Sequence, residues 1–183
     1  MTCTIPRGLL VPNSNSGHRF RLQVLKLVNC NFDQFKDTQF ADLGSSLREL
    51  SLSRVTFPHD DGDGGRILNS IIAGASLLQR LFLSSIVGIR RVQVGNLPSL
   101  KFLLFDQSPV EDLVITAVDS LEELFICDTP MGGDFVVSLM PNPKKLAVAN
   151  GKEFILFAVK SYFLLSNHTH FKPLVSLVPI FLL

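Results

Sequence analysis

The stretch His59–Gly65 is the part of the sequence whose side chains look most suited to binding an ion. It contains three aspartates and three glycines, a composition found in calcium loops. An EF-hand loop needs an oxygen ligand at its fifth position and a glutamate at its twelfth. Counted from Asp61, those positions hold Gly65 and Ile72. The stretch therefore predicts a solvated insert loop, and its carboxylates would repel a phosphate from the glycines.

Two histidines and one cysteine are the other candidates for chemistry. His168 and His170 offer two metal ligands, but a structural zinc site needs four, and no Cys, Asp or Glu lies near them in the sequence. Cys30 is predicted to be a small core residue. No catalytic triad signature and no phosphate loop of recognised spacing occurs. We therefore predict no metal, no cofactor, no catalytic residue and no enzymatic activity.

The overall composition predicts a folded domain without partners attracted by charge. The chain has 183 residues, of which 46% are apolar and 18% charged, which suits one domain with a sizeable core. Its net charge of +1 gives no attraction to nucleic acid or to an anionic membrane. Three widely spaced cysteines do not form a disulfide framework. No signal peptide is recognisable, so we expect a cytoplasmic or nuclear protein.

A repeated pattern of apolar residues must position whatever site this chain has. Leu47–Phe57 has the form LxxLxLxxVxF, and Leu22–Phe32 is a close copy that begins 25 residues earlier. This is the leucine-rich-repeat pattern, in which a short strand is followed by a turn and a return segment. One repeat cannot bury its own apolar face, so the copies must stack. The pattern predicts an α/β leucine-rich-repeat solenoid with a curved parallel inner sheet, and short helices and extended segments on the outer face.

The spacing of the later units predicts what lies on the outer face. Residues 66–75 have the periodicity of a helix. Units then begin at Leu78 and at every tenth or eleventh residue up to Leu121, which is too short for a strand and a full helix. We therefore predict outer extended segments at Val92–Val94 and Leu113–Ile115. The last unit is Pro143–Val148, preceded by a predicted helical return at Asp134–Met140.

The ends of the chain differ from its centre. We assign residues 1–18 to an N-terminal remnant and loop, 19–150 to the repeat domain and 151–183 to an irregular apolar C-terminal tail. A membrane span needs about 20 mostly apolar residues; lysines and prolines interrupt the tail, so we do not expect it to cross a membrane. It is interpreted either as a cap on the open end of the solenoid or as a segment foreign to the fold, which would make the chain a fragment.

Two short units indicate which kind of leucine-rich repeat this sequence contains. Leu97–Leu103 has the sequence LPSLKFL and Ser120–Ile126 the sequence SLEELFI. This alternation resembles the leucine-rich region of plant F-box proteins that carry an FBD segment, over roughly residues 19–150. The resemblance implies that the repeats select a protein for ubiquitination while an F-box docks on the Skp-type adaptor of a ubiquitin ligase.

This sequence shows neither an F-box before the repeats nor an FBD segment after them. We therefore do not expect a Skp-type adaptor to bind the chain as it stands. The alternatives are a truncated product without adaptor function and the repeat region of an intracellular immune receptor. In each of these readings the partner is a protein, and no reaction is expected.

The residues between the last two leucines of each unit predict the binding surface. Strand side chains alternate between faces, so these residues should line the concave side: Lys26, Ser51, Phe82, Leu104, Phe125 and Ala147. Phe82, Leu104 and Phe125, widened by Phe102, are predicted to form one apolar stripe. Its predicted flanking charges are Arg80, Lys101, Glu122 and Glu123. We expect the stripe to bind a protein partner, or else to be covered by the tail or by a neighbouring domain.

Overall fold

The computed structural model describes residues 3–4, 22–32, 35, 45–58, 63–116, 118–129, 135–137, 144–150 and 153–157. Within these ranges the chain is a solenoid of short parallel strands with one helix. The elements are β1 (Cys3–Thr4), β2 (Val24–Val28), β3 (Cys30–Asn31), β4 (Glu49–Ser53), α1 (Asp63–Ala73), β5 (Arg80–Ser84), β6 (Arg91–Gly95), β7 (Phe102–Asp106), β8 (Asp112–Thr116), β9 (Glu123–Cys127), β10 (Phe135–Val137), β11 (Lys145–Asn150) and β12 (Glu153–Phe157). The leucine-rich-repeat solenoid predicted from the sequence is confirmed.

The main strands of successive repeats form the inner sheet. Its order is β12-β11-β9-β7-β5-β4-β2, and all neighbours pair in parallel except β11 and β12. The pairs join equivalent repeat positions, such as Leu50 with Leu81 and Leu81 with Leu103. These three leucines are completely buried. Burying a leucine stabilises a fold by about 1.5–3 kcal/mol, so a slip of one residue would expose every core side chain in the sheet.

A second sheet forms the outer face of the later repeats, in the order β10-β8-β6. The predicted extended segments at Val92–Val94 and Leu113–Ile115 lie within β6 and β8. The predicted helical return at Asp134–Met140 is wrong at its centre, where Phe135–Val137 forms β10. Val136 and Val137 there pair with equivalent residues of β8. β-branched side chains suit a strand. This segment forms a strand and not a helix because its backbone pairs with the edge of β8.

Helix α1 replaces an outer strand in the longest repeat. It begins at Asp63, three residues before the predicted start, because Gly64 and Gly65 belong to its first turn. A Cβ atom on Gly64 would lie 2.6 Å from the carbonyl oxygen of Gly88, so a glycine is needed for this close approach. Gly88 itself has a φ of 89°, which side chains disfavour. The glycines assigned to an insert loop therefore serve helix packing.

The apolar face of α1 follows the predicted periodicity. Leu68, Ile71 and Ile72 are buried, as is Ala75 just beyond the helix. These side chains join the same core as the inner strands. The apolar face of the helix thus covers the core in this repeat, as the outer strands do in the shorter repeats.

A left-handed residue follows each of five inner strands: Asn29, Arg54, Ser85, Gln107 and Asp128, with φ between 43° and 55°. For L-residues this conformation costs roughly 1–2 kcal/mol. In the first four, the backbone N–H donates across to the end of the next inner strand, as Ser85 does to the carbonyl of Asp106 at 2.9 Å. These hydrogen bonds offset the conformational cost. The chain therefore leaves the sheet at the same position in each of these repeats.

Small polar side chains close the turn two residues after the strand. The Ser108 hydroxyl, which is fully buried, donates to the carbonyl of Asp106 at 2.8 Å and accepts from the N–H of Ile86 at 3.1 Å. Thr129 and Cys30 hold the equivalent position, and each donates to the carbonyl two residues before it. Cys30 is 4% exposed, which confirms its prediction as a core residue.

The sheet continues beyond residue 150 by one strand. Glu153–Phe157, which lies in the segment predicted to be irregular, pairs antiparallel with β11. The rest of that segment, including His168 and His170, lies outside the described residues, as do most of the N-terminal remnant and loop and residues 59–62 of the predicted insert loop. No helix in the described part of the chain is both long and apolar enough to cross a membrane.

Replacing Ser108 by alanine should test the buried turn bond. The Ile86 N–H would lose its acceptor in the interior, which typically costs about 1–3 kcal/mol. We expect the free energy of unfolding, measured with urea, to fall by that amount. The control is Ser76→Ala at an exposed turn position, which should change it by less than about 0.5 kcal/mol. Equal effects of the two substitutions would contradict the assigned role of Ser108.

Candidate protein-binding face

The solvent side of the inner sheet, here called the open face, carries the predicted apolar residues in adjacent strands. Phe82 pairs with Leu104, and Leu104 pairs with Phe125. The Phe102 ring lies 4.8 Å from that of Phe82 and 5.5 Å from that of Phe125, centroid to centroid. Such separations are typical of interacting aromatic pairs. The structure thus brings all four residues together, and we call Phe82, Phe102, Leu104 and Phe125 the apolar stripe.

The stripe residues are half-buried. Their rings cover one another because Phe102 lies between the other two phenylalanines. A half-buried ring keeps part of its surface for a partner and already has a fixed position. The stripe is therefore an ordered apolar surface, whose side chains need little rearrangement to make a contact.

The two ends of the predicted row differ from its centre. Lys26 and Ser51 follow the predicted register at one end, but neither is apolar. Ala147 lies beside Phe125 and opposite Leu156 of β12, and it is fully buried. The prediction of Ala147 as a solvent-facing residue is therefore wrong, because an antiparallel strand continues the sheet beyond it. The apolar stripe is confined to β5, β7 and β9.

Two valines on the open face were missed by the sequence analysis. Val24 and Val28 are 48% and 49% exposed, so their side chains are more open to solvent than the stripe. They flank Lys26 on β2, which has a described neighbour on one side only. Their position, two residues before and two residues after Lys26, could have identified them, since alternate residues of a strand share a face.

Arg80 joins the apolar stripe to its charged border. Its guanidinium carbon lies 5.7 Å from the ring centroids of both Phe82 and Phe102. A cation over an aromatic face is attracted by the ring's quadrupole, an effect of about 0.5–1 kcal/mol at exposed sites. The contact holds a positive charge at the edge of the stripe, on the side where the strands begin.

The predicted glutamates are paired with lysines of the next repeat. Glu122 is 2.7 Å from Lys144, and Glu123 is 3.2 Å from Lys145. The hydrogen bond from Lys144 lowers the pKa of the Glu122 carboxyl below its ordinary value, and the positive charges of Lys144 and Lys101 add to that effect. The Glu122 carboxylate therefore stays ionised at neutral pH.

A polar cluster lies on the other side of the apolar stripe, where β5, β7 and β9 end. The Ser84 hydroxyl donates to the Asp106 carboxylate at 2.9 Å, and Cys127 pairs with Asp106 in the register. Burial raises the pKa of the Cys127 thiol, and the charges of Asp106 and Asp128 raise it further. A thiol in that state is a poor nucleophile at neutral pH. This cluster, which the sequence analysis missed, offers polar contacts and no thiolate chemistry.

The outer face carries a groove of about 310 Å³, between α1 and the outer sheet. Asn69 on its wall accepts from the N–H of Gln93 at 3.0 Å and donates to the carbonyl of Arg91. Its side chain thereby pairs with the free edge of β6. None of the described residues that line the groove is titratable, and nowhere in the described ranges do three His, Cys, Asp or Glu side chains gather as metal ligands.

Comparison with known proteins gives one family. The family described as "FBD-associated F-box protein At5g56370, LRR repeats" matches residues 4–144. That range covers every inner strand from β2 to β9. Searches of curated proteins and of solved structures found no match.

Replacing Lys144 by glutamine should raise the pKa of Glu122 towards its ordinary value. The substitution removes the charged donor that favours the carboxylate. The pH midpoint of the Glu122 carboxyl resonance, followed by NMR, should lie below that of an ordinary glutamate in the natural chain and move up in the variant. Because the folded pKa is lowered, the pair stabilises the fold above the unfolded pKa, and that contribution is lost as pH falls through the folded value.

The control is Lys145→Gln, which removes a lysine whose nearest carboxylate is Glu123. It should move the Glu122 midpoint less than Lys144→Gln does. A Glu122 midpoint that stays in place without Lys144 would show that the pair is not formed in solution.

Proposed function

The chain belongs to the family of leucine-rich repeats described for FBD-associated F-box protein At5g56370, and from that premise we propose that it recognises a segment of a partner protein. The observation that carries this proposal is the contiguous set of Phe82, Phe102 and Phe125 rings at the centre of the open face. Membership of the family supports protein binding in general. The location of the binding surface rests on the apolar stripe.

The stripe has the properties of a binding centre. Aromatic anchors dominate many protein interfaces, and apolar patches bordered by charge tend to mark partner sites. The three phenylalanines lie on paired strands, so the fold has already met the cost of ordering them. Burying what remains exposed of each ring would contribute at about 25 cal/mol per Å². A partner segment with one or two apolar side chains would bury the ring surface that remains exposed.

We further propose that the partner is a protein selected for ubiquitination, and that the chain acts in the cytoplasm or nucleus. The family name associates these repeats with an F-box protein, which supports a role in substrate choice. The Cys127 side chain is a free thiol, in keeping with a reducing compartment. The role proposed is binding and involves no catalysis.

Substituting two stripe residues together, Phe82→Ser/Phe125→Ser, should abolish partner capture. Serine removes the apolar anchors while the buried leucines behind them stay in place. Tagged natural and variant chains, expressed in the same cells, would be compared by affinity purification and quantitative mass spectrometry. We expect partner recovery to fall at least tenfold, with the circular dichroism spectrum unchanged.

The matched control is Leu77→Ser, which replaces an apolar side chain that is 44% exposed and lies outside the inner strands. It should leave partner recovery unchanged. Partners that remain bound to the double variant would show that the open face is not the binding surface.

The same purification separates the ligase role from a bare recognition array. A Skp-type adaptor among the recovered proteins would support the substrate-selection role. Partners recovered without that adaptor would instead favour a truncated product that binds partners and lacks adaptor function, or an immune-receptor type of repeat. Recovery of chaperones alone would contradict a functional binding module.

A further inference from the structure

The basic border of the apolar stripe has unpaired cations. Where the strands begin, the described carboxylates each have a lysine within 3.2 Å: Glu49 with Lys26, Glu122 with Lys144 and Glu123 with Lys145. Arg48, Arg80 and Lys101 belong to the same border, and in the described part of the chain none of them has a carboxylate within 4 Å. Their charges are available to a ligand. Arg80 begins β5, and Arg48 and Lys101 directly precede β4 and β7, which are the neighbours of β5 in the sheet.

At β7 and β9 the opposite border of the stripe is acidic. Asp106 ends β7, and Asp128 directly follows β9. Along a five-residue strand the two borders are about 13 Å apart, at roughly 3.3 Å per residue. The apolar stripe therefore lies between a positive side and a negative side. A ligand lying on it meets a potential that changes sign across its width, and this favours one orientation.

We propose that the partner segment carries a carboxylate side chain beside its apolar anchor, with the carboxylate bound between Arg80 and Lys101. This rests on the proposed function, since it assigns chemistry to the same surface. Arg80 is held over the rings of Phe82 and Phe102, so its guanidinium is already placed where the anchor ends. A guanidinium can bind a carboxylate through two parallel hydrogen bonds.

The acidic border strengthens the selectivity. A segment placed in the reverse orientation would bring its carboxylate towards Asp106 and Asp128, where like charges repel. A lysine beside the anchor would meet Arg80 and Lys101 and be rejected in the same way. An acidic apolar segment is the ligand whose charges suit both borders.

Peptide selection tests this proposal on the full chain. A phage-displayed library of random twelve-residue peptides would be selected on the natural chain, on Arg80→Glu/Lys101→Glu and on a control, Arg90→Glu/Arg91→Glu. The control changes the net charge equally, but on the outer sheet, where both arginines are exposed and pair with Glu111 and Asp112. The natural chain and the control should select peptides with Asp or Glu beside Leu, Phe or Trp. The stripe variant should select Lys or Arg at that place.

A second measurement gives the size of the effect. The best peptide and its carboxamide analogue, with Glu replaced by Gln, would be labelled with fluorescein and titrated with the natural chain. The analogue should bind about tenfold more weakly, which corresponds to about 1.4 kcal/mol. Raising the salt concentration should weaken the acidic peptide more than the analogue.

The outcomes separate this inference from the proposed function. Apolar peptides without acidic enrichment, captured by the natural chain and lost in Phe82→Ser/Phe125→Ser, would overturn the inference and leave the binding face intact. Peptides whose capture is unaffected by the Phe82→Ser/Phe125→Ser substitutions would overturn both. Acidic peptides that are retained by Arg80→Glu/Lys101→Glu would overturn the inference by showing that other residues bind the carboxylate.

Discussion

The structure depends on the parallel pairing of equivalent residues in successive repeats. An isolated strand such as Glu49–Ser53 has its polar backbone groups unsatisfied on both edges and two leucines exposed on one side. Pairing with β2 and β5 satisfies both needs together, and only in the register that the structure shows. Stability is then largely a sum over neighbours. The left-handed residues after β2, β4, β5 and β7 belong to the same constraint, since the N–H of each donates into the next repeat.

That constraint also creates the candidate binding face. Neighbouring strands lie about 4.8 Å apart, so strand pairing alone aligns the residues at one repeat position in a row. At one end of the sheet this row is polar, with Lys26 and Ser51. Three consecutive repeats place Phe82, Leu104 and Phe125 there, and Phe102 joins them from the next row. The proposed function therefore follows from the choice of residues at a position that the fold leaves free to vary.

Where the sequence analysis failed, contacts between segments distant in sequence decided the result. Phe135–Val137 becomes a strand because β8 presents an edge to it. The turn containing Gly64 becomes helix because Gly88 leaves room for it. Ala147 is buried because β12 reverses direction and pairs beyond it. In each case the local sequence was compatible with two states, and a neighbour far along the chain stabilised one of them.

The sequence by itself determined the repeat pattern, the inner strands from β2 to β11, their register and the residues of the apolar stripe, because a period of two residues within each strand leaves one way to bury the leucines. Tertiary structure alone decided how much of each ring is covered, which carboxylates are neutralised by lysines and which cations remain available. Those properties depend on distances between side chains in different repeats. Arg80 over the rings of Phe82 and Phe102 is the plainest case, because the contact joins two strands whose pairing must form first.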